Sequence, residues 1–134
     1  MESNDTKLTY QGTPIRIEPD EEESRKHIQE DFIVLAHAGI DEIIRKQFVP
    51  WLKGEYYPDK EDDKVFAGLR VYSVTYHYGR IIAKYSPTKE EGYFGQFEFS
   101  FVSGDEYTAE MLEAAAMEVF VLHGRVVGFN AYDI

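Results

Sequence analysis

Chemistry in this chain is first sought in its histidines, tyrosines and carboxylates: it has four His, 10 Tyr and 25 Asp plus Glu, and no Cys. His27 and Asp31 stand four residues apart, a spacing that places both on one helix face where they could share a metal ion. A metal site needs three or four ligands, and the spacing supplies no third, so a solvated helix face is the ordinary reading. His37 lies just before Gly39, where a cation suits the negative end of a helix dipole. His77 and His123 lie beside the dipeptides Tyr78-Gly79 and His123-Gly124. If both dipeptides are turns of neighbouring hairpins, the two imidazoles fall at one end of a sheet, and with Tyr76 and Tyr78 they could line a pocket. Ser73, Thr75 and His77 alternate along one strand face, but no Gly-x-Ser-x-Gly elbow accompanies them. Neither a Gly-x-x-x-x-Gly-Lys nor a Gly-x-Gly-x-x-Gly phosphate loop occurs. Asp59-Lys60-Glu61-Asp62-Asp63 lacks the alternating ligands and central glycine of a calcium loop. No catalytic residue, metal or cofactor is therefore expected.

The carboxylates are distributed unevenly. The window Glu90 to Gly124 holds eight of them and no Lys or Arg. Within it Phe97, Phe99 and Phe101 alternate with Glu98, which marks a half-buried strand with an acidic side rather than a disordered acidic tail. Glu98 is also the best candidate for a general acid, since it sits among aromatics, but the alternation sends it to the face opposite them. A single-sign surface attracts cations and basic proteins. The expected function is a non-catalytic acidic interaction protein, in its sharpest form an immunity-type protein masking a basic partner, with Glu98, Glu106, Glu110, Glu113 and Glu118 as the binding residues. The alternative is a small enzyme or ligand-binding protein built on the Tyr76, His77, Tyr78 and His123 pocket.

At 134 residues the chain fits one domain, residues 1–134, and its formal charge is −11. That balance argues against nucleic acid, whose phosphates require clustered Lys and Arg. No apolar run approaches the ~20 residues of a membrane span, and Met1-Glu2-Ser3-Asn4-Asp5 is too polar for a signal peptide. The expected setting is the cytoplasm, with no membrane partner and a homodimer left open.

The elements that must position these side chains read as α+β. Leu8 to Tyr10 and Ile15 to Ile17 flank Gln11-Gly12 as an N-terminal hairpin, and Pro14 points to an edge where the second strand begins. Asp20 and Glu23 form a capping box for a helix over about 20–38, which Gly39 ends. Asp41 caps a second helix over about 41–53, which Pro50 kinks or ends, tucking Trp51 against the sheet. An antiparallel sheet over about 65–129 follows. Leu69 to His77 and Arg80 to Tyr85 pair around Tyr78-Gly79, with Tyr72, Tyr76 and Tyr78 on one face opposite Val71, Ser73 and Thr75. The strand from Gly92 to Ser103 follows, then a short helix near 108–116 capped by Thr108. A last hairpin joins Val119–Leu122 to Arg125–Phe129, although 117–122 could instead continue the helix.

The run Tyr93-Phe94-Gly95-Gln96-Phe97-Glu98-Phe99, with Trp51 and Phe66…Leu69-x-Val71-x-Ser73-x-Thr75, resembles a group of small uncharacterised bacterial proteins. They carry an N-terminal helical part, a Trp, and then strands with an aromatic-Phe-Gly step. The resemblance covers residues 40 to 102. Where that group places a His after its glycine pair, this chain has Gln96. The group implies an α+β fold and a bacterial, cytoplasmic setting, and it brings no activity.

Overall fold

The computed structural model describes residues 5–19, 21–56, 70–86, 88–102 and 115–133. Six strands, β1 (Asp5–Tyr10), β2 (Thr13–Ile17), β3 (Arg70–Ile81), β4 (Gly92–Val102), β5 (Ala115–Leu122) and β6 (Arg125–Asp133), form one sheet in chain order. Helix α1 (Glu22–His37) and the shorter α2 (Ile40–Ile43) and α3 (Val49–Tyr56) lie in the connection between β2 and β3. The fold is α+β with an N-terminal hairpin, as the patterning implies.

The two turns of the form x-Gly that hold have positive φ at both central residues: 51° and 83° at Gln11-Gly12, 52° and 75° at His123-Gly124. Such turns match the right-handed twist of the strands they join. Tyr78-Gly79 is not a turn. β3 runs through it to Ile81, and a β-carbon at position 79 would stand 2.9 Å from Nδ1 of His77. Glycine is there for room beneath an imidazole, not for a left-handed conformation.

The sheet is mixed, not wholly antiparallel. β2 pairs with β3 in parallel, Ile15 opposite Val74 and Ile17 opposite Tyr76, because the helical connection returns the chain in the same direction. β2 is consequently an interior strand. Pro14 is tolerated because it precedes Ile15, the first residue in register with β3. Beyond Ile17 the edge of β3 is met by α1: the Tyr78 N–H donates to Oγ of the fully buried Ser24 at 3.0 Å.

β3 carries a bulge at Tyr72. Val71 faces Phe101 and Ser73 faces Ser100, leaving Tyr72 unpaired and 60% exposed. The extra residue reverses the alternation. Val71 therefore joins Val74 and Tyr76 in the core, and Tyr72 does not share a face with Tyr76 and Tyr78. The core between helices and sheet holds Ile15, Ile17, Ile28, Leu35, Phe48 and Phe97 among others, with Trp51 half-buried against it.

The helix starts differ from their sequence signals. Glu21, not Asp20, is the N-cap of α1, and no side chain caps it; Asp20 itself lies outside the described residues. Glu23 turns to Lys26 and His27, each at 3.6 Å. Asp41 caps nothing. It accepts from the Tyr10 hydroxyl at 2.7 Å and the Gln11 amide at 2.6 Å, pinning the first hairpin to α2. Gly39 ends α1 in the left-handed conformation. The second helical run reaches Tyr56, with a π turn over Ile44–Phe48 in which the Val49 N–H reaches back to the Ile44 carbonyl. Pro50 has no N–H and its ring crowds the carbonyl four residues earlier, so the backbone widens just ahead of it. The helix expected near 108–116 falls mostly outside the described residues, but Ala115 and Ala116 belong to β5, and 117–122 is strand.

Candidate functional site

The helices cover one face of the sheet, where α1 packs on β3 to β6. On the other face, register aligns one residue from each of four strands: Thr75 on β3, Glu98 on β4, Glu118 on β5 and Asn130 on β6. Glu98 and Glu118 are direct cross-strand neighbours, which sets their β-carbons about 4.5–5.5 Å apart. Both are half-buried. Ser73 and Ser100 flank this row on one side through a hydroxyl–hydroxyl contact, and His77 and Gln96 flank it on the other.

Burial, then the charge of Glu98, raises the Glu118 carboxyl above its ordinary 4.5, while a hydrogen bond with the Asn130 side chain works in the opposite direction. Like charges facing one another across a ladder cost stability. The pair is therefore a place where a cation between the two carboxylates would be favoured.

The helix-side face carries a second polar group. Tyr76, fully buried, donates its hydroxyl to Oδ2 of Asp31. A β-carbon at Gly95 would stand 2.8 Å from Cγ of Asp31 and 3.2 Å from the Tyr76 oxygen, so glycine is what allows α1 to lay this carboxylate on β4. Burial raises the Asp31 carboxyl against the opposing effects of Tyr76 and His27. Burial, followed by the bond and charge of Asp31, pushes the Tyr76 phenol far above its ordinary range. His27 stacks on Tyr78 with centroids 3.8 Å apart, and Tyr93 lies 5.9 Å beyond. The sequence offered one signal for this contact: a glycine in the middle of the most regular strand, where glycine marks a close approach.

The expected pocket residues do not converge. Strand alternation sends Tyr76 and Tyr78 to the helix side and His77 to the other, where its Nε2 lies 3.1 Å from Glu21. His123 sits in the β5–β6 turn. Two strand spacings and three residues separate it from His77, roughly 14 Å. Of the five candidate acids, Glu98 and Glu118 come together, and Glu106, Glu110 and Glu113 lie outside the described residues. Among the described residues no group of three His, Asp or Glu is placed to hold a metal, and no helix is long and apolar enough to cross a membrane. The fold and this polar face define an α+β protein with a paired-carboxylate sheet surface. No family model matches the chain, and neither a curated protein nor a solved structure matches it significantly.

Asp31 and Glu118 both bind protons more tightly folded than unfolded. Between their ordinary values, 3.8 and 4.5, and their raised folded values, the folded chain holds the extra protons. Stability therefore rises as pH falls through the raised values and is lost as pH climbs above them. The melting temperature is expected to increase on acidifying from neutral toward the ordinary carboxylate range. Glu118→Gln should flatten that rise; an unchanged profile in Glu118→Gln would remove the pair from the account.

Proposed function

We propose that this chain is a non-catalytic acidic binding protein that receives a basic group of a protein partner on the second face of its sheet, as an immunity protein masks a basic toxin. The observation that carries the reading is the cross-strand neighbour pair Glu98 and Glu118. Two half-buried carboxylates side by side weaken the free protein. A guanidinium or ammonium placed between them relieves the repulsion, so binding recovers what folding gives up. Thr75 and Asn130 at the ends of the row supply neutral hydrogen-bonding groups around the cation. The net charge of −11 steers a basic partner from a distance and makes the association rate fall with salt. Glu106, Glu110 and Glu113, which precede β5 in sequence, extend the same acidic window.

An oligo-arginine peptide at low ionic strength serves as the probe, followed by backbone NMR. Shifts are expected to concentrate at residues 75, 98, 118 and 130. The double variant Glu98→Gln with Glu118→Gln should weaken binding at least tenfold while raising the melting temperature. Neutralising Glu22 and Glu42 on the helices, which already pair with Lys26 and Lys46, is the control. Equal weakening by the control would mean that the peptide reads net charge alone, and the sheet face would lose its role. Reversing Glu106, Glu110 and Glu113 to Lys should slow association.

A further inference from the structure

We propose that β6 pairs antiparallel with β6 of a second copy of this chain, about a two-fold axis at Asn130. β6 ends the strand order, and among the described residues no strand pairs with its outer edge. An exposed edge is a template for another strand unless it is blunted. β1, at the opposite end, is blunted: its register jumps between Asp5 and Thr9, and it contains Lys7. β6 has neither Lys nor Pro. Its one irregularity falls at Val127, and from Gly128 to Asp133 it pairs residue for residue with β5.

The apolar layer of the core runs out unfinished along this strand. Met117 and Val119 on β5 are fully buried, while Ala131 and Phe129, their neighbours on β6, are only half-buried. Val126 and Arg125 at the start of β6 line an apolar groove of about 390 Å³ against Ile33, Val34 and His37 of α1, and Ile33 is 58% exposed. Apolar surface thus gathers at the one regular edge of the sheet.

Directly opposed residues must point to the same face, so the axis falls on a residue rather than between two. At Asn130, which is exposed, the axis sets Phe129 against Ala131 of the second copy, twice, large against small on the core side. An axis at Phe129 would oppose the two rings instead. The strand's only charges, Arg125 and Asp133, have opposite sign and lie at opposite ends; about this axis Asp133 falls opposite Val127 of the second copy, two residues from Arg125. Such an interface is isologous and closes at two copies. It would also join two Thr75–Glu98–Glu118–Asn130 rows into one band. The proposal does not depend on what that row binds.

Sedimentation velocity on the full chain over a range of concentrations tests it. Each copy carries a charge of −11, so a monomer–dimer equilibrium is expected that tightens as salt screens the repulsion. Asn130→Lys sets two ammonium groups on the axis and should raise the dissociation constant at least tenfold. Gln47→Lys, an exposed site on the π turn, adds the same charge and should not weaken the dimer. The chain has no cysteine, so Asn130→Cys under mild oxidation reports the axis directly and should form a disulfide-linked dimer much faster than Thr9→Cys on the β1 edge. A chain that stays monomeric up to millimolar concentration, or that cross-links equally fast at both edges, overturns the proposal.

Discussion

Gly95→Ala is expected to destabilise the fold by about 1–3 kcal/mol, an overpacking penalty, although it adds a single methyl group to a strand. The methyl would occupy the place of the Asp31 carboxylate, 2.8 Å from its Cγ, and that carboxylate cannot move without releasing the Tyr76 hydroxyl. Tyr76 is fully buried and packs on Phe97 with centroids 4.8 Å apart, so its oxygen has nowhere else to turn. Releasing it would leave a buried donor without an acceptor. Urea unfolding of Gly95→Ala, Asp31→Ala and the double variant checks the cause. Asp31→Ala removes the obstruction, so Gly95→Ala should cost much less in that background, and the two effects should fall well short of additive. Additive effects would show that the close approach of α1 to β4 is not what requires glycine.

Phe48→Ala is expected to cost more, about 3–5 kcal/mol. Phe48 has no exposed surface, stacks on Phe101 of β4 at 4.5 Å, and lies 5.9 Å from the ring of Trp51. It links the second helical run to the strand that carries most of the aromatic core. Trp51 is the only tryptophan, so its emission reports the same event: a red shift before global unfolding is expected in the variant. Stability within 1 kcal/mol of the parent, by the scale for filled against emptied core positions, would mean that this run is not docked through Phe48.

What the residues disclosed in advance was local. The Phe97, Phe99 and Phe101 alternation locates β4 and its buried face correctly, and Gln11-Gly12 and His123-Gly124 are turns for the stated reason. Tyr78-Gly79 has the same appearance, but its glycine answers to the imidazole of His77, which no local pattern separates from a turn. The parallel pairing of β2 with β3 is also invisible locally, because it joins residues about sixty positions apart across the whole helical segment. Glu98 and Glu118 were both identifiable as acids of one window. Their adjacency is not, since it depends on the register that the β4–β5 connection imposes. The Tyr72 bulge shows the limit most plainly: one unpaired residue exchanges the inner and outer sets on the strand before it.

The π turn has a consequence for the seam that binds the second helical run to the core. Its buried residues, Ile40, Ile44 and Phe48, recur every four positions. On a regular α-helix that interval overshoots a full revolution by about 40° at each step, so such a seam would spiral away from whatever it rests on. The wider loop ahead of Pro50 accommodates the surplus in a single revolution. An imino acid that would ordinarily interrupt a helix thus keeps these side chains in phase with the sheet beneath them.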